Sequence, residues 1–346
     1  MNLANMVFVQ SKIPAAGETV RAVDDSMKRA QCRIEGCNAC ARGCIARRLL
    51  FALAASVAAA ASVAIAASVA IAASVASADV GVDAGTSVVH DSNVSRSLAS
   101  EGEQADTSVA GFAAARVYFA PTSADGVTLS LGAGGERFDR YHGLDNGWIS
   151  AGAAYRHKFG LGYEAPWLRA EALAEYHGYD VDLRSGPRLT SRVEFGKRFG
   201  ERMSAQAGAY YDQRWSSHGT PGYPGVADNV YNLRGRGVYA GASVAFGDAF
   251  TLGANARLRR GDVASTASEW SPLLGAASAV SEDPTFGNER YVYRLRGTTR
   301  NADVTLNYAL GDRASINLSI SAVRTGVAQG YAYISHATSI AWLCRY

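Results

Sequence analysis

The sequence predicts an all-β chain: a transmembrane antiparallel up-and-down β-barrel of about twelve strands. Three observations predict this fold. Polar and apolar side chains alternate with a period of two along most of residues 79–346, as in strands whose two faces meet different surroundings. Short turns alternate with longer connections, and aromatic residues gather at both ends of the predicted strands, which is typical of outer-membrane barrels.

The composition agrees with this architecture. The 346 residues carry a net charge of only +3, too small to predict nucleic-acid binding. The chain has 8 prolines, which suits long uninterrupted strands. Its mean hydropathy of −0.05 is expected when only alternate residues face lipid. The alternative architecture is a soluble secreted β-sandwich that binds a ligand, with the apolar face as its core.

Residues 188–215 show the alternation best. Leu189 and Val193 lie on one face of a predicted strand, and Arg192 and Glu194 lie on the other. After a short turn, a second strand repeats the pattern. In a membrane barrel the apolar face meets lipid and the charged face lines the lumen, so we expect a transmembrane hairpin here.

The same pattern predicts twelve strands, an even number, as bacterial barrels require. They are placed at residues 80–90, 112–119, 127–138, 148–159, 167–178, 188–199, 203–215, 230–246, 250–260, 291–310, 314–324 and 331–346. The strand at 80–90 has the weakest pattern, and glycines near Gly235–Gly237 and Gly297 predict β-bulges. The segment between the strands that end at 260 and begin at 291 is predicted to be a long outer loop, apolar enough to fold over the mouth.

Aromatic residues mark both ends of these strands. One group lies beside the short turns or the C-terminus: Phe119, Phe159, Phe199, Phe246, Phe250, Tyr308 and Tyr346. The other lies near the longer loops: Tyr141, Tyr176, Tyr179, Trp215, Tyr231, Tyr291, Tyr293 and Tyr331. Two such groups predict interfacial belts. Short periplasmic turns then place both termini in the periplasm of a Gram-negative cell.

Residues 1–46 differ from the rest and form a predicted N-terminal extension. Cys32, Cys37, Cys40 and Cys44 have the spacing C-x4-C-x2-C-x3-C, which touches that of iron–sulfur and zinc sites. The other interpretation is a mis-assigned start, with translation beginning later, at a methionine such as Met27. We favour it because an export signal follows, and an exported protein would not keep a metal site ahead of its signal.

Residues 47–78 are that predicted signal peptide. Two arginines open an uncharged run rich in alanine and serine, and the run closes on Ala76-Ser77-Ala78. A positive start, an apolar run and small residues at the end are the three parts of a secretory signal. Cleavage after Ala78 would leave residues 79–346 as the barrel; an uncleaved membrane anchor is the alternative.

The C-terminal strand predicts a partner. Ile340, Trp342, Cys344 and Tyr346 share one face, and the chain ends on the aromatic residue. This ending resembles the terminal assembly signal of outer-membrane barrels, whose last residue is usually phenylalanine. The resemblance implies that the barrel assembly machinery recognises the strand ending at Tyr346. Outer-membrane lipid is the second expected partner, and the sequence sets no oligomeric state.

The charged face supplies the candidate functional residues. Those predicted to line the lumen are Arg116, Arg156, Arg169, Glu171, Glu175, Arg192, Glu194, Arg198, Asp212, Arg214, Arg257 and Arg259. Basic groups outnumber acidic ones, which indicates a passive pore attractive to anions. The alternative is a surface-exposed structural barrel whose nearly filled interior is braced by ion pairs. No catalytic, cofactor or metal residues are predicted.

One short motif indicates an enzymatic alternative. The segment H-D-S-N-V-S-R-S at residues 90–97 is similar to the H-x-S-N-G element of outer-membrane phospholipase A and related lipid A deacylases. The resemblance implies a lipid hydrolase in which His90 acts as general base to Ser92. Val94 replaces the glycine of that element. The D-S-N-V portion also resembles the first barrel strand of surface lipoprotein assembly modifiers, whose helical repeats this sequence lacks; there Asp91 and Asn93 would form a turn.

Overall fold

The computed structural model describes residues 79–98, 102–216, 226–268, 272–327 and 330–346. The predicted extension, cysteine cluster and signal peptide lie outside these residues. The strands are β1 Asp79–Asp91, β2 Asp106–Phe119, β3 Asp125–Phe138, β4 Asn146–Lys158, β5 Trp167–Tyr179, β6 Gly186–Phe199, β7 Met203–Arg214, β8 Leu233–Phe246, β9 Phe250–Ser268, β10 Ala279–Glu282, β11 Arg290–Ala309, β12 Ala314–Val327 and β13 Ala332–Arg345. No helix within the described residues is long and apolar enough to cross a membrane.

Twelve of the described strands form a closed antiparallel barrel, so the predicted fold class is confirmed and the β-sandwich alternative is wrong. Each strand pairs with the next in the chain, except that β9 pairs directly with β11 and β10 lies outside the wall. The seam is the pairing of β1 with β13, where Val82 and Tyr346 exchange backbone hydrogen bonds of 2.9 and 2.8 Å. The predicted strand at 80–90 is therefore part of the wall.

The wall has two ends. The turn end holds five short connections and the two ends of the barrel chain at Asp79 and Tyr346. The loop end holds the other connections. Since successive side chains of a strand point to opposite faces, the exposed apolar residues mark the outer face: Val238, Leu258, Val304, Ile320 and Ile340 are among them. Residues of the opposite parity point into the barrel.

The aromatic belts are observed in part. At the turn end Phe199, Phe246 and Phe250 are exposed on the outer face, as are Tyr176 and Trp215 towards the loop end. The predicted loop-end belt is otherwise wrong at several positions. Tyr231 and Tyr293 are buried, Tyr141 packs on Phe286 and Tyr179 stacks on the ring of His177. These tyrosines pack against residues of the loop end instead of facing lipid.

The predicted bulges are absent from the described register. Pairing runs without interruption through Gly235, Gly237 and Gly297. The glycines near β8 instead make room for neighbours. A Cβ on Gly235 would lie 2.3 Å from the Arg259 guanidinium, and one on Gly237 would lie 2.4 Å from the Leu258 carbonyl oxygen and 2.7 Å from the Tyr210 ring. Large side chains on adjacent strands occupy the space that these glycines leave empty.

Gly237→Ala is expected to destabilise the barrel, because the new methyl group meets a backbone oxygen that cannot rotate away. Overpacking of this kind costs about 1–3 kcal/mol, which lowers the Tm of the protein in detergent by several degrees. Gly178→Ala is the matched control, since no atom lies within 4 Å of the Cβ position there. Equal thermal unfolding of the two variants would contradict the argument.

Candidate functional site: the lumen and its cap

The predicted lumen residues lie on six strands and share the inward-pointing parity. β2 carries Arg116, β4 carries Arg156, β5 carries Arg169, Glu171 and Glu175, β6 carries Arg192, Glu194 and Arg198, β7 carries Asp212 and Arg214, and β9 carries Arg257 and Arg259. Each is buried or half-buried, while most of their sequence neighbours on the outer face are exposed; beside Arg116, Ala115 and Val117 are buried. The barrel thus brings twelve charged groups from distant parts of the chain to one surface.

Several of these groups form ion pairs along the wall. Arg192 donates a hydrogen bond of 2.8 Å to Glu171, and a guanidinium nitrogen of Arg169 lies 2.5 Å from the other oxygen of the same carboxylate. Arg259 binds Asp212 through two parallel bonds of 2.9 and 2.8 Å. Such bidentate pairs hold the guanidinium in a fixed orientation, so part of the charged surface is braced in place.

The seam adds charged groups that the sequence reasoning missed. Asp83 of β1 lies 3.0 Å from both Arg116 of β2 and Arg345 of β13. Its carboxylate is almost completely buried, which is tolerated only when opposite charges surround it. The alternation along residues 81–91 could have indicated that Asp83 faces the lumen. Its partners could not be predicted, because the register between the first and last strands cannot be obtained from either strand alone.

The basic excess is concentrated near the turn end. Arg156 and Lys158 beside a short turn, and Arg257 higher in the wall, form no ion pair with any described residue. Arg156 lies directly opposite Arg169 in the register, so two guanidinium groups share one position of the wall. Arg198 stacks 4.3 Å above the ring of Tyr163. Unpaired positive charge facing the lumen is a surface that attracts anions.

A long hairpin extends beyond the loop end of the wall. β9 pairs with β8 only as far as Gly261, and β11 pairs with β12 only from Gly297 onward. Residues 262–268 and 290–296 nevertheless continue to pair with each other, and β10 adds a short third strand. We name residues 262–268 and 272–296 the cap. The prediction that the strand ends at residue 260 and a loop fills the gap is therefore wrong.

The cap crosses the mouth of the barrel. In a ring of twelve strands, the β3–β4 connection is six strands away from the β9–β11 pair and so lies on the opposite side. Phe286 in the cap packs on Tyr141 of that connection, with ring centroids 5.0 Å apart. A Cβ on Gly143 would meet Thr285 of the cap at 2.8 Å. The hairpin therefore reaches from one side of the rim to the other.

The cap has its own packed interior. Buried Val263, Ala267, Leu273, Val280, Tyr293 and Leu295 form one cluster, which Leu98, Val226 and Tyr331 from three other connections extend. A second cluster joins Val230, Tyr231, Ala279 and Val292 to Leu183 of the β5–β6 connection. Burial of this apolar surface stabilises the closed arrangement by roughly 25 cal/mol per Å². The predicted folding of this segment over the mouth agrees with these contacts.

A buried ion pair fastens the far side of the cap. Arg184, in the 3-10 turn Asp182–Arg184, donates a hydrogen bond of 2.6 Å to Asp283. The Asp283 side chain is fully buried, and that of Arg184 is 11% exposed. Arg184 also lies 4.8 Å above the Tyr231 ring. Burial lowers the pKa of Arg184, but the Asp283 carboxylate together with Tyr231 and Tyr179 raises it by more, so the net pKa is raised and the group stays charged.

The D-S-N-V motif forms a turn that supports the cap. The Asn93 backbone N–H donates to the Asp91 carboxylate at 2.9 Å, and Arg96 donates to the same carboxylate at 2.7 Å. The Ser95 carbonyl oxygen accepts a hydrogen bond of 3.1 Å from the backbone N–H of Thr266 in the cap. The turn therefore joins the β1–β2 connection to the cap, which gives this motif a structural role.

His90 and Ser92 have other partners than each other. The His90 ring contacts the Thr107 hydroxyl at 3.0 Å. The Ser92 hydroxyl accepts a hydrogen bond of 2.9 Å from the backbone N–H of His336. A general base must reach the proton of its nucleophile, and these contacts hold the two side chains in separate interactions. The geometry does not assemble the dyad that the phospholipase resemblance implies.

Comparisons with known proteins give likeness of fold. No protein-family model matches the sequence, and no curated protein matches it significantly. Among solved structures, an outer membrane channel from Pseudomonas putida F1 is similar with a TM-score of 0.50 at 8% identity, over 77% of this chain and 95% of that chain. The barrel shares the fold of an outer membrane channel.

Two further structures are similar at lower scores. The NanC porin has a TM-score of 0.39 at 9% identity, over 76% of this chain and 98% of that chain. The translocator domain of the autotransporter NalP from Neisseria meningitidis has a TM-score of 0.37 at 12% identity, over 89% of this chain and 98% of that chain.

Proposed function

We propose that the protein is an outer-membrane channel, a passive pore whose loop-end mouth is closed by the cap in the arrangement described above. The observation that carries the proposal is a charged wall that water reaches. The Arg169 and Arg116 side chains point into the barrel, yet 38% and 33% of their surfaces are exposed. A filled interior would bury these groups as completely as the cap buries Asp283. An accessible lumen with charged walls is what a solute pathway requires.

The preferred solutes are small anions. The opposite charges of paired groups such as Arg259 and Asp212 cancel. The surplus positive charge along the pathway then comes from Arg156, Lys158 and Arg257. Arg198 adds a further cation near the turn end. A narrow lumen with low-dielectric walls focuses the field of such groups and raises the local concentration of anions. Arg156, Lys158 and Arg198 lie near the turn end, so we assign the selectivity to the turn-end half of the lumen.

The orientation follows the usual arrangement of bacterial barrels. Short turns face the periplasm, and the longer connections face outward. This places the cap at the cell surface and both chain ends of the barrel in the periplasm. In this orientation the cap would control entry from outside the cell, and anions leaving or entering the periplasm would pass the basic groups directly.

Refolded residues 79–346 in a planar bilayer provide the test. We expect rare openings with a reversal potential that indicates anion preference in a salt gradient. The reason is that the cap must detach before ions can pass, and the basic surplus then favours anions. Absence of conductance, even in a variant whose cap is detached, would overturn the channel and favour the structural-barrel alternative.

The C-terminal residue is proposed to act in assembly. The bonds of Tyr346 to β1 are made by its backbone, so its exposed side chain is not needed to close the seam. Tyr346→Ala is therefore expected to lower the amount of barrel in the outer membrane of cells while refolding of the purified chain in detergent is unchanged. Tyr346→Phe should restore the cellular level. Equal loss in both assays would show a structural role instead.

The resemblance to surface lipoprotein assembly modifiers concerns the β1–β2 turn. Asp91 and Asn93 belong to the matching D-S-N-V residues, and together with Arg96 they hold the turn together. We propose that this similarity is one of barrel construction, and that transport of lipoproteins is not the task of this chain. Surface display of a co-expressed lipoprotein that depends on this barrel would overturn this view.

A further inference from the structure

Four arginines interrupt the apolar outer face of the barrel near its loop end. Arg236 of β8, Arg260 of β9, Arg300 of β11 and Arg324 of β12 are all exposed. Their parity places them on the lipid-facing side: Arg236 lies two positions from exposed Val238, Arg260 two positions from exposed Leu258, and Arg300 and Arg324 four positions from exposed Val304 and Ile320. They are therefore not part of the lumen.

The register brings these cations together in pairs. Arg236 lies directly opposite Arg260, and Arg300 lies directly opposite Arg324. Side chains at opposite positions have Cβ atoms about 5 Å apart, and like charges there are destabilising. None of the four forms an ion pair with a described residue. Two such pairs side by side on adjacent strands would be stabilised by an anion from outside the chain.

The nearby acidic group does not neutralise them. Asp262 of β9 accepts a hydrogen bond from the backbone N–H of Arg234, and its carboxylate lies 4.0 Å from Arg296. These are other arginines of the same region, which add to the positive charge. In the lumen, Arg192 and Arg259 have carboxylate partners within 2.8 Å. The outer-face cluster is distinguished by its position on the lipid-facing side and by two directly opposed pairs of cations without an ion-pair partner among the described residues.

The level of the cluster in the wall indicates its surroundings. Arg236 is also paired in register with Tyr211 of β7, an exposed aromatic residue on the outer face. Aromatic residues of barrels settle at the level of the lipid headgroups. The four arginines therefore lie at the level of the lipid phosphate groups. On this side of the barrel, guanidinium groups take the place of aromatic side chains.

We propose that this cluster, Arg236, Arg260, Arg300 and Arg324, binds the phosphate groups of a phosphorylated lipid headgroup in the leaflet that surrounds the loop end. Each guanidinium offers planar paired donors that match phosphate oxygens. Two arginines whose Cβ atoms lie about 5 Å apart can direct both guanidinium groups to one phosphate. The headgroup neutralises the like-charge pairs, and its acyl chains pack on the apolar residues below, so lipid and protein surfaces are complementary in charge and in polarity.

The inference rests on the proposed membrane location of the barrel, but not on its action as a pore. Because successive side chains of a strand point to opposite faces, the four arginines lie outside the lumen whether or not ions pass through it. A barrel that binds phosphorylated lipid without conducting would retain this inference and refute the channel. A barrel that conducts ions but shows no preference for phosphorylated lipid would retain the channel and refute this inference.

The test uses the refolded full barrel in phosphatidylcholine nanodiscs with lipid A, either phosphorylated or dephosphorylated, and native mass spectrometry to count bound lipid A. We expect retention of the phosphorylated form by the wild-type protein. Arg236→Gln with Arg260→Gln should weaken its binding by about fivefold for each arginine removed, about 25-fold for the pair. Inorganic phosphate added in excess should not displace the lipid, since it lacks the acyl chains.

Arg257→Gln is the matched control, because this arginine lies three positions from Arg260 on the same strand and faces the lumen. It should retain lipid A as the wild type does. Thermal unfolding gives a second measurement: in pure phosphatidylcholine the double variant should be at least as stable as the wild type, because like-charge repulsion is relieved. Equal retention of both lipid A forms, or equal loss in the Arg257 variant, would overturn the inference.

Discussion

If the proposed channel function is right, Asp283→Ala is expected to turn a mostly silent channel into one that conducts persistently. The variant leaves the Arg184 guanidinium buried against the cap without its carboxylate, 2.6 Å away in the native protein. Breaking a buried ion pair by removal of one partner costs about 3–5 kcal/mol. The closed arrangement bears this cost and the detached one does not, because water then solvates Arg184. The ratio of open to closed states should rise by roughly two to four powers of ten.

Two further variants make the measurement decisive. Asp182→Ala removes a carboxylate from the same turn, but Asp182 is exposed, so single-channel open probability should stay at the native level. Arg184→Met with Asp283→Ala removes both charges and leaves an apolar side chain against Tyr231, which should return the channel towards closure. If Asp283→Ala conducts no more than Asp182→Ala does, the ion pair is not what fastens the cap.

Charge reversal at the turn end should invert the selectivity of the pore. Arg156→Glu with Lys158→Glu replaces two unpaired cations by two anions beside Arg169 and Arg198. The field inside a narrow lumen acts on every ion that passes, so we expect the ratio of chloride to potassium permeability to fall about tenfold. The shift in reversal potential should be largest at low salt, because the Debye length shrinks to about 10 Å at 0.1 M.

A matched charge reversal outside the lumen serves as the control. Arg202 and Arg313 lie in exposed turns at the same end of the barrel. Replacing both by glutamate changes the net charge of the protein by the same amount without altering the wall of the pathway. Its reversal potential should remain close to that of the wild type. A shift as large as that of the lumen variant would mean that overall charge, and not the lumen surface, sets selectivity.

The wall of the barrel could be predicted from the sequence because its signal is local. Alternation along residues 188–199 or 167–179 follows directly from the pleat of a strand, and each short turn interrupts it. Parity then assigned the twelve charged candidates to one face, where their side chains are found. The bulges expected at Gly235 and Gly237 were wrong because the space around a glycine depends on Arg259 and Tyr210, which lie on neighbouring strands.

The folding of this segment over the mouth was predicted, but the strands of the cap could not be, because they carry a different pattern. Within residues 262–268 and 290–296 both faces of the hairpin are covered, so Val292 and Tyr293 are buried although they are adjacent in the sequence. Period-two alternation disappears when both faces are buried. The ion pair of Arg184 with Asp283 joins positions 99 residues apart. No local pattern indicates such a pair.

The seam has a consequence for the kinetics of folding. The ion pair of Asp83 with Arg345 joins residues 262 positions apart, and every other strand of the wall must be in place before these two meet. Contacts of such sequence separation slow folding because chain entropy is lost before the contact forms. The unpaired edges of β1 and β13 are exposed to aggregation during that delay. We therefore expect the exported chain to depend on periplasmic chaperones until its last strand is delivered.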